Sequence, residues 1–163
     1  LTDHKEKKIV RRILEAPAAT ERLALQMAAG LKAGMVLALT GDLGAGKTAF
    51  TQALARGLGI KRPVTSPTFM ILQEYYEGRL PLFHFDFYRL NDPSELEELG
   101  LDDYLFGEGI CAIEWADRIR EELPPETIWI DLQYGAHEKA RILTAAIPVG
   151  ADLAFSFPGE ESI

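Results

Sequence analysis

Eight consecutive residues, Gly41-Asp42-Leu43-Gly44-Ala45-Gly46-Lys47-Thr48, carry the spacing G-x-x-x-x-G-K-[ST] of a phosphate-binding loop. Each fixed type has a chemical task. The glycines let successive backbone N–H groups converge on an anion with no Cβ in the way. Lys47 supplies a point charge to the phosphates of a nucleotide, and the Thr48 hydroxyl can ligate Mg²⁺. A helix beginning at Lys47 would aim the positive end of its dipole at the same anion. A random chain of this composition would show the pattern about 0.004 times, so chance is a poor explanation.

Such a site needs a carboxylate at the end of a neighbouring buried strand, to hold Mg²⁺ directly or through water. Glu114 closes the apolar run Ile110 to Ile113, and Asp86 lies within the aromatic stretch Leu80 to Tyr88. One acid could serve the metal and the other the attacking water; the sequence leaves the division open. The bland readings are a solvated strand end for Glu114 and a partner to His84 or Tyr88 for Asp86. Thr65-Ser66-Pro67-Thr68-Phe69 reads either as a loop that senses the terminal phosphate or as a proline turn whose hydroxyls bond their own backbone. Trp115 reads as core or lid more readily than as a base-stacking platform. His84 reads as a packed, hydrogen-bonded histidine, Cys111 as core, and the basic cluster Lys5, Lys7, Lys8, Arg11 and Arg12 as a solvated end.

The elements that must position these residues are legible from patterning. Ile9 to Leu14 reads as a strand, with a helix as the alternative, and Glu21 to Leu31 as a helix capped by Thr20. Met35 to Leu39 is a short apolar run, the mark of a strand buried on both faces. Lys47 to Leu58 is a helix with Phe50, Leu54 and Leu58 on one stripe. Phe69 to Tyr76 and Leu80 to Tyr88 pair as a hairpin turning at Glu77-Gly78, with Phe83, Phe85 and Phe87 on one face and His84, Asp86 and Tyr88 on the other. Asp92-Pro93-Ser94-Glu95 starts a short helix that ends at Gly100. Ile110 to Ile113, Ile128 to Leu132 and Arg141 to Ile147 complete the strands. The alternation implies an α/β fold: a three-layer arrangement of the P-loop nucleotide-hydrolase type, with a mainly parallel central sheet and an antiparallel hairpin at its edge. Residues 1–150 read as one domain and 151–163 as a loose tail.

Composition bounds the function. The chain has 163 residues, 47% hydrophobic, with 17 Lys and Arg against 25 Asp and Glu and a net charge of -8. Nucleic-acid affinity rests largely on cationic contacts to phosphate, so a chain this acidic would meet RNA beside a partner rather than alone. One cysteine excludes an intramolecular disulfide framework and a Cys-rich zinc site. No secretory apolar region and no run of membrane-spanning length is visible, so a cytoplasmic location and no membrane role are expected. The single asparagine, Asn91, is followed by Asp92, so the N-K-x-D element that reads guanine is absent and adenine is favoured. An L-S-G-G-Q stretch is also missing, which argues against a transport ATPase.

Five motifs in one order carry a family resemblance: G-D-L-G-A-G-K-T (41–48), S-P-T-F (66–69), F-H-F-D-F-Y-R-L (83–90), P-S-E-L-E-E-L-G-L (93–101) and A-I-E-W-A-D-R (112–118). Together, over Ile9 to Ala146, the chain resembles the bacterial ATPases of tRNA threonylcarbamoyladenosine biosynthesis, the TsaE (YjeE) family. The resemblance implies binding of ATP and Mg²⁺ and slow intrinsic hydrolysis. It also implies docking on a two-subunit synthase that transfers a threonylcarbamoyl group to an adenosine of tRNA, the ATPase resetting that complex and meeting tRNA only through it. Carried over by motif, Gly44, Ala45, Gly46, Lys47 and Thr48 bind phosphate, with Asp42, Leu43 and Ala49 beside them. Thr48 and Glu114 hold Mg²⁺, Asp86 supports hydrolysis near the metal, Thr68 is a switch residue and Trp115 sits near the nucleotide. Thr20 and Arg141 fall toward the base or ribose. Two other classes stay open from the residues alone: a small-molecule kinase, and a nucleotide-gated binding module that does not turn over.

Overall fold

A computed structural model describes residues 6–150. The expected tail, 151–163, and Lys5 of the basic end lie outside the described residues. The elements run β1 (Lys7–Leu14), α1 (Pro17–Gly30), β2 (Val36–Gly41), α2 (Lys47–Gly57), β3 (Leu72–Tyr75), β4 (Leu82–Asp86), α3 (Ser94–Leu99), α4 (Leu101–Leu105), β5 (Ile110–Glu114), a 3₁₀ segment (Ala116–Glu122), β6 (Ile128–Tyr134) and β7 (Arg141–Pro148). The seven strands form one sheet in the order β1-β7-β6-β2-β5-β4-β3. The four central strands β6, β2, β5 and β4 are parallel. Antiparallel pairing occupies both edges, β3 on one side and the β7–β1 pair on the other. The antiparallel part is therefore larger than the single hairpin expected.

Period-two alternation assigns the faces. On one face, Leu37 and Leu39 of β2, Leu82 of β4 and Ile110 and Ala112 of β5 pack with Leu23, Met27, Phe50 and Leu54 of α1 and α2. On the other, Ala38, Phe83, Phe85, Cys111 and Ile113 pack with Leu96, Leu101, Leu105 and Ile119. Each fully buried Leu or Phe contributes about 1.5–3 kcal/mol, so the two cores jointly hold the sheet. The expected split of the aromatic strand holds: the phenylalanines enter the second core, and His84 and Asp86 project toward α2. All three layers of the expected α/β arrangement are present.

Three local expectations are corrected. Helix α1 begins at Pro17, not after Thr20: Ala16 is extended at the cap and makes no side-chain cap bond. Proline suits that first position because its missing N–H has no helical partner there. Strand β3 is shorter than expected, because the Pro67 carbonyl accepts from the N–H groups of Met70 and Ile71 and turns the chain before Leu72. The hairpin's last pair is Tyr75 with Leu82, which makes its connection longer than a two-residue turn at Glu77-Gly78. Helix α4 and the 3₁₀ segment were not visible as separate elements in the sequence. At α3, the Asp92 carboxylate does accept from the Ser94 N–H at 3.0 Å, as its capping position suggested.

Cys111 is fully buried in the second core, and burial pushes its thiol up to about 12. Because the thiolate is the reactive form, the native protein should react with a disulfide reagent at pH 8 at least about 100-fold more slowly than the denatured chain. Release of the reagent chromophore with and without denaturant measures this; equal rates would mean that β5 is not packed as described.

Candidate active site

The loop leaves β2 at Gly41, whose register partner on β6 is Leu132. Gly41 sits at φ 127°, and a Cβ there would lie 1.9 Å from the Leu132 carbonyl oxygen. Only glycine lets β6 approach this closely. Gly46, the residue before α2, sits at φ 109° for a different reason: a Cβ there would meet nothing within 4 Å, so the space is open and the backbone conformation alone demands glycine. Lys47 is buried, and its Nζ donates to the carbonyls of Gly41 at 3.0 Å and Asp42 at 2.8 Å. That leaves the ammonium one further donor. The group also lies 4.5 Å from the centroid of the Trp115 ring. Burial lowers the Lys47 pKa, opposed by the charges of Glu114, Asp42, Asp86 and Asp117.

β2 and β5 run parallel with Leu39 opposite Glu114, so both strands end at the same edge, above the N-terminus of α2. There the Thr48 hydroxyl contacts both Glu114 oxygens, at 2.9 and 3.1 Å. Glu114 is 3% exposed, which excludes the solvated strand end. Its Oε2 also meets His84 Nε2 at 2.5 Å. In register beside it, Asp86 is equally buried. Asp86 Oδ2 accepts from Thr68 at 2.9 Å and Ser66 at 3.2 Å, and Oδ1 accepts from the Tyr88 N–H at 2.9 Å. The Ser66–Phe69 segment is thus a proline turn, but its hydroxyls reach Asp86. Asp86 does partner Tyr88, through the backbone, while His84 turns to Glu114.

Leu43, Gly44, Gly46, Lys47, Thr48, Ala49, Ser66, Thr68, Asp86, Tyr88, Glu114 and Trp115 line one cavity of about 310 Å³. A second cavity of about 410 Å³ shares Gly44, Gly46 and Ala49 with it and adds Thr20, Gln52, Arg56 and Arg141. Ala45 faces this second space, while the Asp42 carbonyl stays turned to Lys47. Thr20, expected as a helix cap, is a buried residue inside α1 that faces this second space. Arg141 is committed in part to the loop itself: Nε donates to the Ala45 carbonyl at 3.0 Å, and Nη1 to the carbonyls of Glu138 and Ala140. Sequence reasoning missed Tyr134, whose hydroxyl donates to the Leu43 carbonyl at 2.7 Å and whose ring lies 4.7 Å from the Arg141 guanidinium. No local signal marks it, because its place depends on β6 lying beside β2.

The match to a family model described as "Threonylcarbamoyl adenosine biosynthesis protein TsaE" spans residues 14–143. This chain belongs to the TsaE family. The tRNA threonylcarbamoyladenosine biosynthesis protein TsaE of Bacillus subtilis is 49% identical over 131 residues, 80% of this chain and 82% of that protein. The protein of the same name from Treponema pallidum is 44% identical over 115 residues, 71% of this chain and 84% of its own. The crystal structure of Bacillus subtilis YdiB superposes with a TM-score of 0.75 at 41% identity, covering 87% of both chains. The TsaE fold is that of a P-loop nucleotide hydrolase, as the sequence implied.

The donors gathered here suit a hard cation. Thr48, Glu114 and Asp86 offer only oxygen, and Mg²⁺ commonly takes one or two carboxylates with phosphate and water making up the rest. Among the described residues no cluster of three or more His, Cys, Asp or Glu forms a cage. The two loop glycines of this TsaE protein should separate by cause. Gly41→Ala should cost more than about 3 kcal/mol, since backbone must move, and Gly46→Ala only the strain of about 1–3 kcal/mol. Urea denaturation measures both; equal, small losses would contradict the close β2–β6 approach.

Proposed function

We propose that this protein binds ATP with Mg²⁺ and hydrolyses it slowly, as an accessory subunit of the machinery that makes threonylcarbamoyladenosine in tRNA. The partner in this reading is a two-subunit synthase that performs the threonylcarbamoyl transfer, and the hydrolysis cycle resets it for further turnovers. The observation that carries the reading is the convergence of Lys47, Thr48, Asp86 and Glu114 on one cavity at the N-terminus of α2. Family membership supports the tRNA-modification context.

In this reading the N–H groups of Gly44 to Thr48 and the Lys47 ammonium hold the phosphates, with Asp42, Leu43 and Ala49 shaping the loop. Thr48 and Glu114 would hold Mg²⁺, which neutralises charge developing on the transferred phosphoryl group. Asp86 serves hydrolysis by orienting the attacking water close to the metal. Thr68 and Ser66 tie the preceding loop to that same carboxylate, so the loop is coupled to events at the terminal phosphate. The adjoining cavity, faced by Thr20 and Arg141, has room for the nucleoside, while Trp115 flanks the phosphate side. A net charge of -8 fits a subunit that leaves tRNA to its partners. A cytoplasmic location follows from that work; among the described residues no helix is long and apolar enough to cross a membrane.

The test is ATP hydrolysis by the purified chain, alone and with the synthase pair from the same cell. Slow turnover that rises with the pair is expected. No effect of the pair on rate or affinity would overturn the accessory role, and turnover only with a small acceptor would indicate a kinase. Lys47→Ala should lose ATP affinity by at least about 10-fold with the thermal midpoint retained, measured by calorimetry. Glu114→Ala should weaken binding in Mg²⁺ and leave Mg²⁺-free binding nearly unchanged; equal losses in both conditions would make Glu114 structural.

A further inference from the structure

His84 has no task in the reading above, yet it is completely buried beneath the acid that reading assigns to the metal. Parallel pairing of β4 with β5 sets His84 opposite Ala112 and Asp86 opposite Glu114, so the imidazole lies on the same sheet face as both acids. Its Nε2 is 2.5 Å from Glu114 Oε2, whereas Nδ1 is buried without a hydrogen-bond partner. A carboxylate only accepts, so Nε2 carries the hydrogen and donates it. Thr48 has one hydroxyl hydrogen, and its nearer acceptor is Oε1 at 2.9 Å, while Oε2 receives His84. A carboxylate oxygen has two lone-pair sites, so Oε1 keeps one free beside the Thr48 hydroxyl.

We propose that His84 is a positioning residue that pins Oε2 of Glu114 and turns Oε1 toward Thr48 and a nucleotide-borne Mg²⁺ ion. The proposal rests on the metal role given to Glu114 above. Rotation about the last side-chain bond sets the plane of a glutamate carboxylate, and that torsion is soft. Thr48 holds the plane weakly, because its one hydroxyl lies within reach of both oxygens. His84 fixes it, because it bonds one oxygen alone. Groups that hold a metal-binding side chain from behind typically alter metal affinity by about 10–100-fold when removed.

Three variants separate this role from simple filling of space. His84→Leu keeps bulk and removes the donor. His84→Gln places an amide N–H where Nε2 stood, and His84→Asn holds its amide too short to reach. Binding of a non-hydrolysable ATP analogue is measured by calorimetry with and without Mg²⁺, alongside the thermal midpoint of each variant. The expected result is that His84→Leu and His84→Asn lose about 10–100-fold of the Mg²⁺-dependent gain in affinity, with Mg²⁺-free affinity unchanged and His84→Gln close to wild type. Equal losses with and without Mg²⁺, a retained gain in His84→Leu, or Gln and Asn variants that match each other would overturn the proposal. If His84→Leu fails to fold, the Gln and Asn pair decides it. A wild-type protein with no Mg²⁺-dependent gain would defeat the metal role of Glu114 and this inference with it. A wild-type gain that all three variants keep would defeat only the role of His84.

Discussion

The parallel register between β2 and β5 places Leu39 opposite Glu114, and the rest of the site hangs on that alignment. Because the strand that feeds the loop and the strand that carries the acid end at one edge, Thr48 at the start of α2 reaches the Glu114 carboxylate without any intervening segment. A slip of one residue would turn Glu114 into the aromatic core and Ile113 toward the loop. That slip would bury the Glu114 carboxylate in the aromatic core, away from Thr48 and His84, and the cost of an unpaired buried charge forbids it. Core packing on both faces, together with those bonds, therefore sets the position of the Glu114 oxygens.

Placing Lys47, His84, Asp86 and Glu114 out of solvent costs solvation that their mutual bonds offset only in part. Each side chain is nonetheless tied to a distinct element. Lys47 bonds the loop's own carbonyls, Glu114 bonds α2 and β4, and Asp86 bonds the Ser66–Thr68 turn and the Tyr88 N–H. The carboxylates are thereby held in place by bonds from more than one segment. The same bonds make the site a junction of four segments that share no sequence proximity.

The loop, both acids and the layer order were legible because each follows from short-range pattern. The Gly41–Thr48 spacing is self-contained, and the split of Phe83, Phe85 and Phe87 from His84 and Asp86 follows from the two-residue period of a strand. Harder to read were features set by neighbours distant in sequence. The bond from Tyr134 to the Leu43 carbonyl needs β6 to lie beside β2, and the partner of His84 needs the β4–β5 register. Thr20 looked like a cap because Thr before Glu is a common helix start, yet Pro17 began the helix a turn earlier and carried Thr20 inside. Phe69 to Ile71 looked like strand by composition. The Pro67 carbonyl instead takes the Met70 and Ile71 N–H groups and turns that segment, and the bonds of Ser66 and Thr68 tie the turn to an acid some 20 residues away.

Backbone strain marks the same two acids. Ile71, at φ 66°, and Trp115, at φ 56°, are the non-glycine residues with positive φ among those described. For a β-branched and a bulky aromatic residue, that conformation costs about 1–3 kcal/mol each. Both adjoin the acids: the Ile71 carbonyl accepts from the Asp86 N–H at 2.9 Å, and Trp115 directly follows Glu114. The left-handed turn at Trp115 swings the indole back over Lys47 and beside Tyr88, at 5.0 Å between ring centroids. A relaxed, extended residue there would carry the chain onward along β5 and leave the ammonium without its aromatic cover. At Trp115 the strain is thus the cost of turning the chain immediately after Glu114, which keeps that carboxylate at the very end of β5; at Ile71 it lies just before β3, where the carbonyl takes the Asp86 N–H.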